Sequence, residues 1–331
     1  MVQLARVSPF NPDHADLVHD IVYDFYGKRI ATCSSDQKVK VWQIHDEEGW
    51  VLDDAWKAHD CSIVAVSWAH PEFGNVLASC SYDRSVKIWE EQEHEALGSG
   101  RRWKLRATLT ESKGSVQSVE FAPNHLGLKL ATCSTDGYVR IYEAEDIMNL
   151  SNWSLTGEFE AVSACKETDR LCLSWCRSRF QPQQIVVGCG DKNIARIYRL
   201  TANNQWTAFE YLGPHHDTIT DVSWAPNMGR SYQLIATASK DGHVRIFKLK
   251  WEDLSVGDGE LQPERSVGVL KGKWKVDLLA SFPDHNGIVW RVDWNLLGTV
   301  LSSSGEDGKV RVWKAGFGDG EWVGTETVGA L

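Results

Sequence analysis

His59, Ser79 and Asp83 are the three residue types of a hydrolytic triad, in which an imidazole takes a proton from a hydroxyl and a carboxylate orients the imidazole. The same types return as His215, Thr237 and Asp241, and again as His285, Ser303 and Asp307. A catalytic site is built once, whereas a set that returns along the chain is built once per structural unit. Each Asp is therefore expected to accept hydrogen bonds within a turn and to orient its His. The His meets the hydroxyl and, through Trp89 and Trp313, an indole in a buried network. No non-repeating polar cluster competes with this reading, so the sequence points away from an enzyme and implies no cofactor.

Eight cysteines could suggest zinc or disulfides, but the chain has no Cys-x-x-Cys pair. Cys33, Cys80, Cys133 and Cys189 are read into one repeat column, where the two remaining units carry Ala238 and Ser304. That column wants a small residue, which argues for buried free thiols in a reducing compartment and for no metal site. Cys172 and Cys176 lie in "LCLSWC", which reads as a strand.

Composition narrows the partners. A formal charge of −10 over 331 residues opposes nucleic-acid binding, which rests on basic residues displacing counterions. The cluster "GRRWKLR" near Arg101 reads as a solvated strand edge. No apolar run approaches the roughly 18 residues that a membrane-crossing helix requires, and the start "MVQLARVSPFNPDH" lacks the apolar core of a signal peptide. A cytosolic or nuclear location is the default expectation.

The elements that hold these residues repeat as well. "LATCSTDGYVRIYEA" from Leu130 is a strand, a tight turn and a second strand. It is respelled from Ile30, Leu77, Ile185, Ile235 and Leu301, each copy closing on an aromatic: Trp42, Trp89, Tyr142, Tyr198, Phe247 and Trp313. The interval is about 50 residues, the period of stacked or radial repeats. Before each hairpin comes an alternating segment such as "AVSW" or "DVSW", and after it a segment opening on Trp50, Trp103, Trp153, Trp206, Trp274 or Trp322. Each unit thus supplies four strands in chain order. Repeated six times in one domain, 1–331, this predicts an all-β fold, a six-bladed β-propeller with tryptophans filling the wedges between blades. In unit four Lys192 is read into the Asp column and Gly188 into the hydroxyl column, so that blade must close its turn otherwise.

No terminal strand is left to latch the ring, since the last unit owns its outer strand from Glu321 and the first owns its inner strand. Residues 1–13 are therefore expected to be spare and the propeller open, with a gap between blades six and one. Leu17, Val18, Ile21 and Tyr23 are the candidates for the near edge, and Ile288, Val289, Trp290 and Val292 for the far edge. Two insertions between third and fourth strands, 90–102 and 250–273, carry Gly and mixed charge and are expected to be disordered.

Particular stretches add a resemblance. "HDIVYDFYGKRIATCSSD", "WAHPEFGNVLASCSYDRSVKIWEE", "FAPNHLGLKLATCSTDGYVRIYEAEDIMNLSNWSL" and "HNGIVWRVDWN" closely resemble the small WD-repeat nucleoporins of the Seh type, sisters of the propeller in the outer secretory-vesicle coat. "DIMNLSNWSL" from Asp146 and the long fifth-unit insertion look like the nucleoporin branch. The resemblance implies an open WD-repeat propeller completed by a blade from a helical scaffold nucleoporin, within the Y-shaped complex of the pore's outer rings. It also implies a nuclear-envelope location, support of mRNA and protein transport, and a second membership in the vacuolar or lysosomal nutrient-sensing complex upstream of the target-of-rapamycin kinase. Two other readings stay open: an adaptor of the secretory coat, and a propeller that reads a peptide or modified tail at its mouth.

Overall fold

The computed structural model describes residues 10–163, 170–189, 193–213, 215–253, 272–316 and 321–329. Among them, twenty-four strands form six antiparallel sheets of four, and in every sheet the spatial order is the chain order. The fold is the expected six-bladed β-propeller. The inner strands are Val18–Tyr23, Ile63–Trp68, Val116–Phe121, Cys172–Trp175, Ile219–Trp224 and Val289–Trp294. The outer ones are Gly49–Lys57, Trp103–Leu109, Trp153–Glu160, Trp206–Leu212, Gly272–Phe282 and Trp322–Gly329. Each blade so built is complete within itself, and among the described residues no terminal strand crosses into another blade.

Each hairpin turns where its sequence permits. Asp36, Asp83 and Asp241 accept the amides of Lys38, Ser85 and His243 at 2.9–3.0 Å, and the residue after each Asp takes a left-handed backbone. Gly242 adopts φ +79° without strain, whereas Gln37 and Arg84 accept φ 69° and 70° as non-glycine residues.

The strands divide into two compact units. The first holds blades one and two with most of blade three, and the second holds the remainder of blade three with blades four to six. In the first, Trp56 on the outer strand of blade one stacks on Trp103 of blade two at 5.5 Å, over a core of Ala31, Cys33, Val39 and Val66. In the second, Phe159 meets Tyr198 at 4.3 Å and Phe282 stacks on Trp313 at 4.0 Å. Trp56 also meets Trp89 at 5.5 Å, so in these three seams an aromatic of one blade's outer strand covers the closing aromatic of the next.

Four expectations need correction. Residues 10–13 are not spare: Phe10 lies edge-on to Trp42 at 5.0 Å, and the Lys40 ammonium donates to the carbonyls of Pro12, at 3.2 Å, and Asp13. Residues 92–102 form a docked loop, because Asp54 on blade one accepts the amides of Gly100 and Arg102 at 2.7 and 3.1 Å. The fifth-blade hairpin runs farther than its composition suggested, pairing Lys250 with Lys275 and Asp253 with Gly272; the remainder of the insertion, 254–271, lies outside the described residues.

The fourth correction concerns blade four. Ile185 pairs with Tyr198 as Ile30 pairs with Trp42, so Gly188 faces Ala195 where Cys33 faces Val39. Gly188 therefore fills the small-residue column, Val187 the hydroxyl column, and Cys189 the position after it. The hairpin carries one residue more than the others between Gly188 and Ala195; Lys192 falls outside the described residues. A Cβ on Gly188 would come within 2.5 Å of the Cys172 Sγ, so the volume missing from one strand is supplied from its neighbour. Burial raises both nearby thiols, Cys176 to about 12, which makes them packing groups and poor nucleophiles.

Candidate partner interface

The triad-like residues do meet. In blade two His59 Nδ1 is 2.8 Å from Asp83 Oδ2, His59 Nε2 is 2.8 Å from Ser79 Oγ, and the Trp89 indole donates to that oxygen at 3.0 Å. The hydroxyl is fully buried and engaged on both sides, so it has neither the freedom nor the exposure of a nucleophile. Burial alone would raise the Asp83 carboxyl; hydrogen bonds from His59 and Ser85 overcome it and hold the group well below the ordinary carboxylate range.

Blade six builds the same network with a cation added to it. There the Arg311 guanidinium lies 2.7 Å from both His285 Nδ1 and Asp307 Oδ2, Nδ1 lies 3.2 Å from Asp307 Oδ1, and Nε2 lies 2.8 Å from Ser303 Oγ. The Trp313 indole completes the chain at 2.9 Å. Burial, together with the Arg311 charge, lowers the His285 pKa against the pull of Asp307. In blade two the equivalent cation, Lys87, donates instead to the Ala58 carbonyl at 2.8 Å. Blade five has no indole to contribute, because its closing aromatic is Phe247; His215 still meets Thr237 at 2.7 Å and approaches Asp241 at 3.5 Å.

The sequence reading missed a fourth copy. His14 contacts Asp36 at 2.8 Å and Thr32 at 2.9 Å, and the Trp42 indole donates to Thr32. The signal was present, since "PDHADLV" from Pro12 matches "PDHNGIV" from Pro283. Among the described residues blade four shows no such set; Arg196 Nη1 and the Tyr198 hydroxyl both donate to the Ala161 carbonyl, at 3.2 and 3.4 Å.

The exposed sheet faces carry more functional meaning than these networks. One inner-strand column comprises Ile21, Val66, Val119, Leu173, Val222 and Val292. Five of these are at most 5% exposed, and Ile21 is 48% exposed. Leu17, Val18 and Tyr23 are exposed with it, so the near-edge residues read from the sequence all lie on open surface.

The far-edge residues fare differently. Val289 and Val292 are buried in the core that blades five and six share, Ile288 is half-buried, and only Trp290 is exposed. Strand alternation is the reason: Val292 occupies the column that faces the preceding blade, while the opposite columns face onward. In blade six those onward columns hold Ser302, Ser304, Val310 and Val312. Val310 is 41% exposed where Val39, Val86 and Val244 are at most 2%. Ser302 and Ser304 stand where blades one and two have Ala31, Cys33, Ala78 and Cys80, a polarity change that marks the face in the sequence.

The chain matches the family described as WD domain, G-beta repeat, over residues 7–43, 51–90, 103–143, 209–248 and 276–314. The matched stretches omit most of blade four, the one with the longer hairpin. Among curated proteins it is similar to Nucleoporin SEH1 of Saccharomyces cerevisiae, 45% identical over 94% of this chain and 96% of that protein. Nucleoporin SEH1 of Danio rerio is 46% identical, and that of Homo sapiens 44%, over 93% of this chain and 83% and 84% of theirs.

Proposed function

The chain belongs to the Seh-type WD-repeat nucleoporins, and on that premise we propose that it is a scaffold subunit of the pore's outer rings, completed by a blade from a helical scaffold nucleoporin. The observation that carries the proposal is the 48% exposure of Ile21 in a column that five other blades bury. Exposed strand edges invite pairing, and a partner that adds strands gains main-chain hydrogen bonds for affinity and alternate side chains for specificity. Each such bond nets only about 0.5–1.5 kcal/mol, so apolar burial must supply most of the rest. A permanent association of this kind buries on the order of 2,000 Å² or more.

Within this reading the Seh-type chain contributes to the Y-shaped complex at the nuclear envelope and, through it, to mRNA and protein transport. A second pool in a nutrient-sensing complex at the vacuolar or lysosomal surface would use the same faces. The role is structural: the His, hydroxyl and carboxylate sets hold blades together and catalyse nothing. Amide hydrogen exchange with and without the helical partner tests the proposal. Residues 16–25 and 302–312 should gain protection on binding; unchanged exchange in both segments would overturn the inserted-blade reading.

A further inference from the structure

Neighbouring inner strands within each compact unit are pinned by side chains that accept backbone amides. The Val66 amide donates to Asp20 Oδ2 at 3.1 Å, and the Val292 amide to Asp221 Oδ2 at 3.0 Å. Two residues farther along the inner strand, in the aromatic column, the Phe121 amide donates to Ser67 Oγ and the Trp224 amide to Ser174 Oγ, both at 3.1 Å. Asp20 and Asp221 share one column, opposite Cys33 and Ala238, while Ser67 and Ser174 share another, opposite Ala78 and Val186. The two columns lie two residues apart, on one face of a strand. Blades one and five offer the carboxylate and blades two and four the hydroxyl, so each of these seams is pinned in one of the two columns by a side chain of the preceding blade.

Blade one carries the receiving half of this pattern. Ile21 stands in the column of Val66 and Val292, and Tyr23 in the column of Phe121 and Trp224, both on exposed surface. The outer part of the same face is already covered. Phe10 lies against Trp42 at 5.0 Å and Trp50 at 6.0 Å, the place that Trp56 takes on Trp89 and Phe282 on Trp313.

We propose that the partner meets blade one through an extended segment beside Val18–Tyr23 bearing a carboxylate that accepts the Ile21 amide, as Asp20 and Asp221 accept the amides of Val66 and Val292, while Phe10 keeps the outer wedge. The inference rests on the inserted-blade reading and narrows it. Recognition is concentrated on the inner strand, and the residues of the outer wedge govern the stability of blade one and not its affinity for the partner.

The test uses the purified complex with the helical scaffold nucleoporin. Exchange at residue resolution identifies the partner segment that protects Ile21 and Tyr23. Replacing the acidic residue of that segment with Ala should raise Kd about ten- to a hundredfold, the usual scale for a hydrogen bond to a charged group. Ile21→Asp, which sets like charges against each other, should do at least as much while leaving the free chain's melting temperature unchanged. Phe10→Ala should lower that temperature and leave Kd within about threefold, measured well below the melting transition. A protecting segment without a carboxylate, a carboxylate whose loss leaves Kd unchanged, or a Phe10→Ala effect on Kd as large as that of Ile21→Asp would overturn this inference alone. Absence of any protection at Ile21 and Tyr23 would overturn both it and the inserted-blade reading.

Discussion

Ile21 and Val66 stand at the same place in adjacent blades, opposite Thr32 and Ser79, and both are β-branched apolar residues. Val66 is 2% exposed and Ile21 48%. The local sequence treats them alike because each must sit on a pleated strand; what differs is whether something lies against the strand. An apolar residue held at a solvent-facing position in a column that is otherwise core is the mark of a surface meant to be covered. The lesson is that a repeat exposes its interfaces by comparison with itself: the unusual position is found by burial within a column, even where residue type is unchanged.

The largest expected difference follows directly. Val66→Asp buries an unpaired carboxylate and should cost more than about 3 kcal/mol, lowering the urea midpoint of the first unit or preventing folding. Ile21→Asp in the free chain should shift stability by less than about 0.5 kcal/mol. Equal losses from both would mean that Ile21 is core in solution and would end the comparison.

Next in size is the pin between the two strands. Asp20→Ala leaves the Val66 amide without its acceptor and should cost about 1–3 kcal/mol, with faster hydrogen exchange at Val66 and little change at Ile21. Asp83→Ala should cost a similar amount, since it removes the acceptor of both His59 and Ser85. A hydrolytic activity lost with Asp83 at an unchanged melting temperature would refute the structural assignment.

A smaller effect separates blade two from blade six. The folded-state pKa of His285 is depressed, so the unfolded chain binds a proton at that site more readily than the folded one. Its contribution to stability is present above the ordinary histidine value near 6.5 and is lost as pH falls below it. His285→Gln should flatten the decline of melting temperature between about pH 6.5 and 5. The depressed Asp307 and Asp83 carboxyls act lower, below about pH 4, where protonation removes the stability they give when ionised. Smallest of all, alkylation under nonreducing denaturation should label every cysteine without shifting stability beforehand, consistent with the free thiols among the described residues.

The six blades, their strand order and the meeting of each His with its hydroxyl were legible because each rests on a pattern stated several times. What escaped the reading was stated once. Phe10 looked spare and His14 was passed over because both precede the first inner strand, although "PDHADLV" repeats the approach to blade six. Gly188 was misplaced because a single extra residue shifts a column, and only strand pairing reveals where the shift occurs. The far face was assigned to Val289 and Val292 because both are apolar; the side each faces depends on the strand's alternation relative to its neighbour, which apolarity alone does not state. The 92–102 loop looked disordered by composition, yet two amides on one buried carboxylate order it.

That loop also bears on how a load on blade one would spread to blade two. Arg29 of blade one bonds Glu91 of blade two at 2.7 Å and Asp53 at 2.9 Å; Arg102 grips the same Glu91 at 2.6 Å, and Asp54 holds the loop backbone. Blade one is thus riveted to blade two at its rim as well as along its inner strand. A pull applied to Ile21 would have to shear this charged rivet and the inner seam together, rather than peel the first blade open from one end. The blade that carries the exposed Ile21 is thus held to the next blade at two separate places, by the Arg29–Glu91–Arg102 cluster and by the Asp20–Val66 bond.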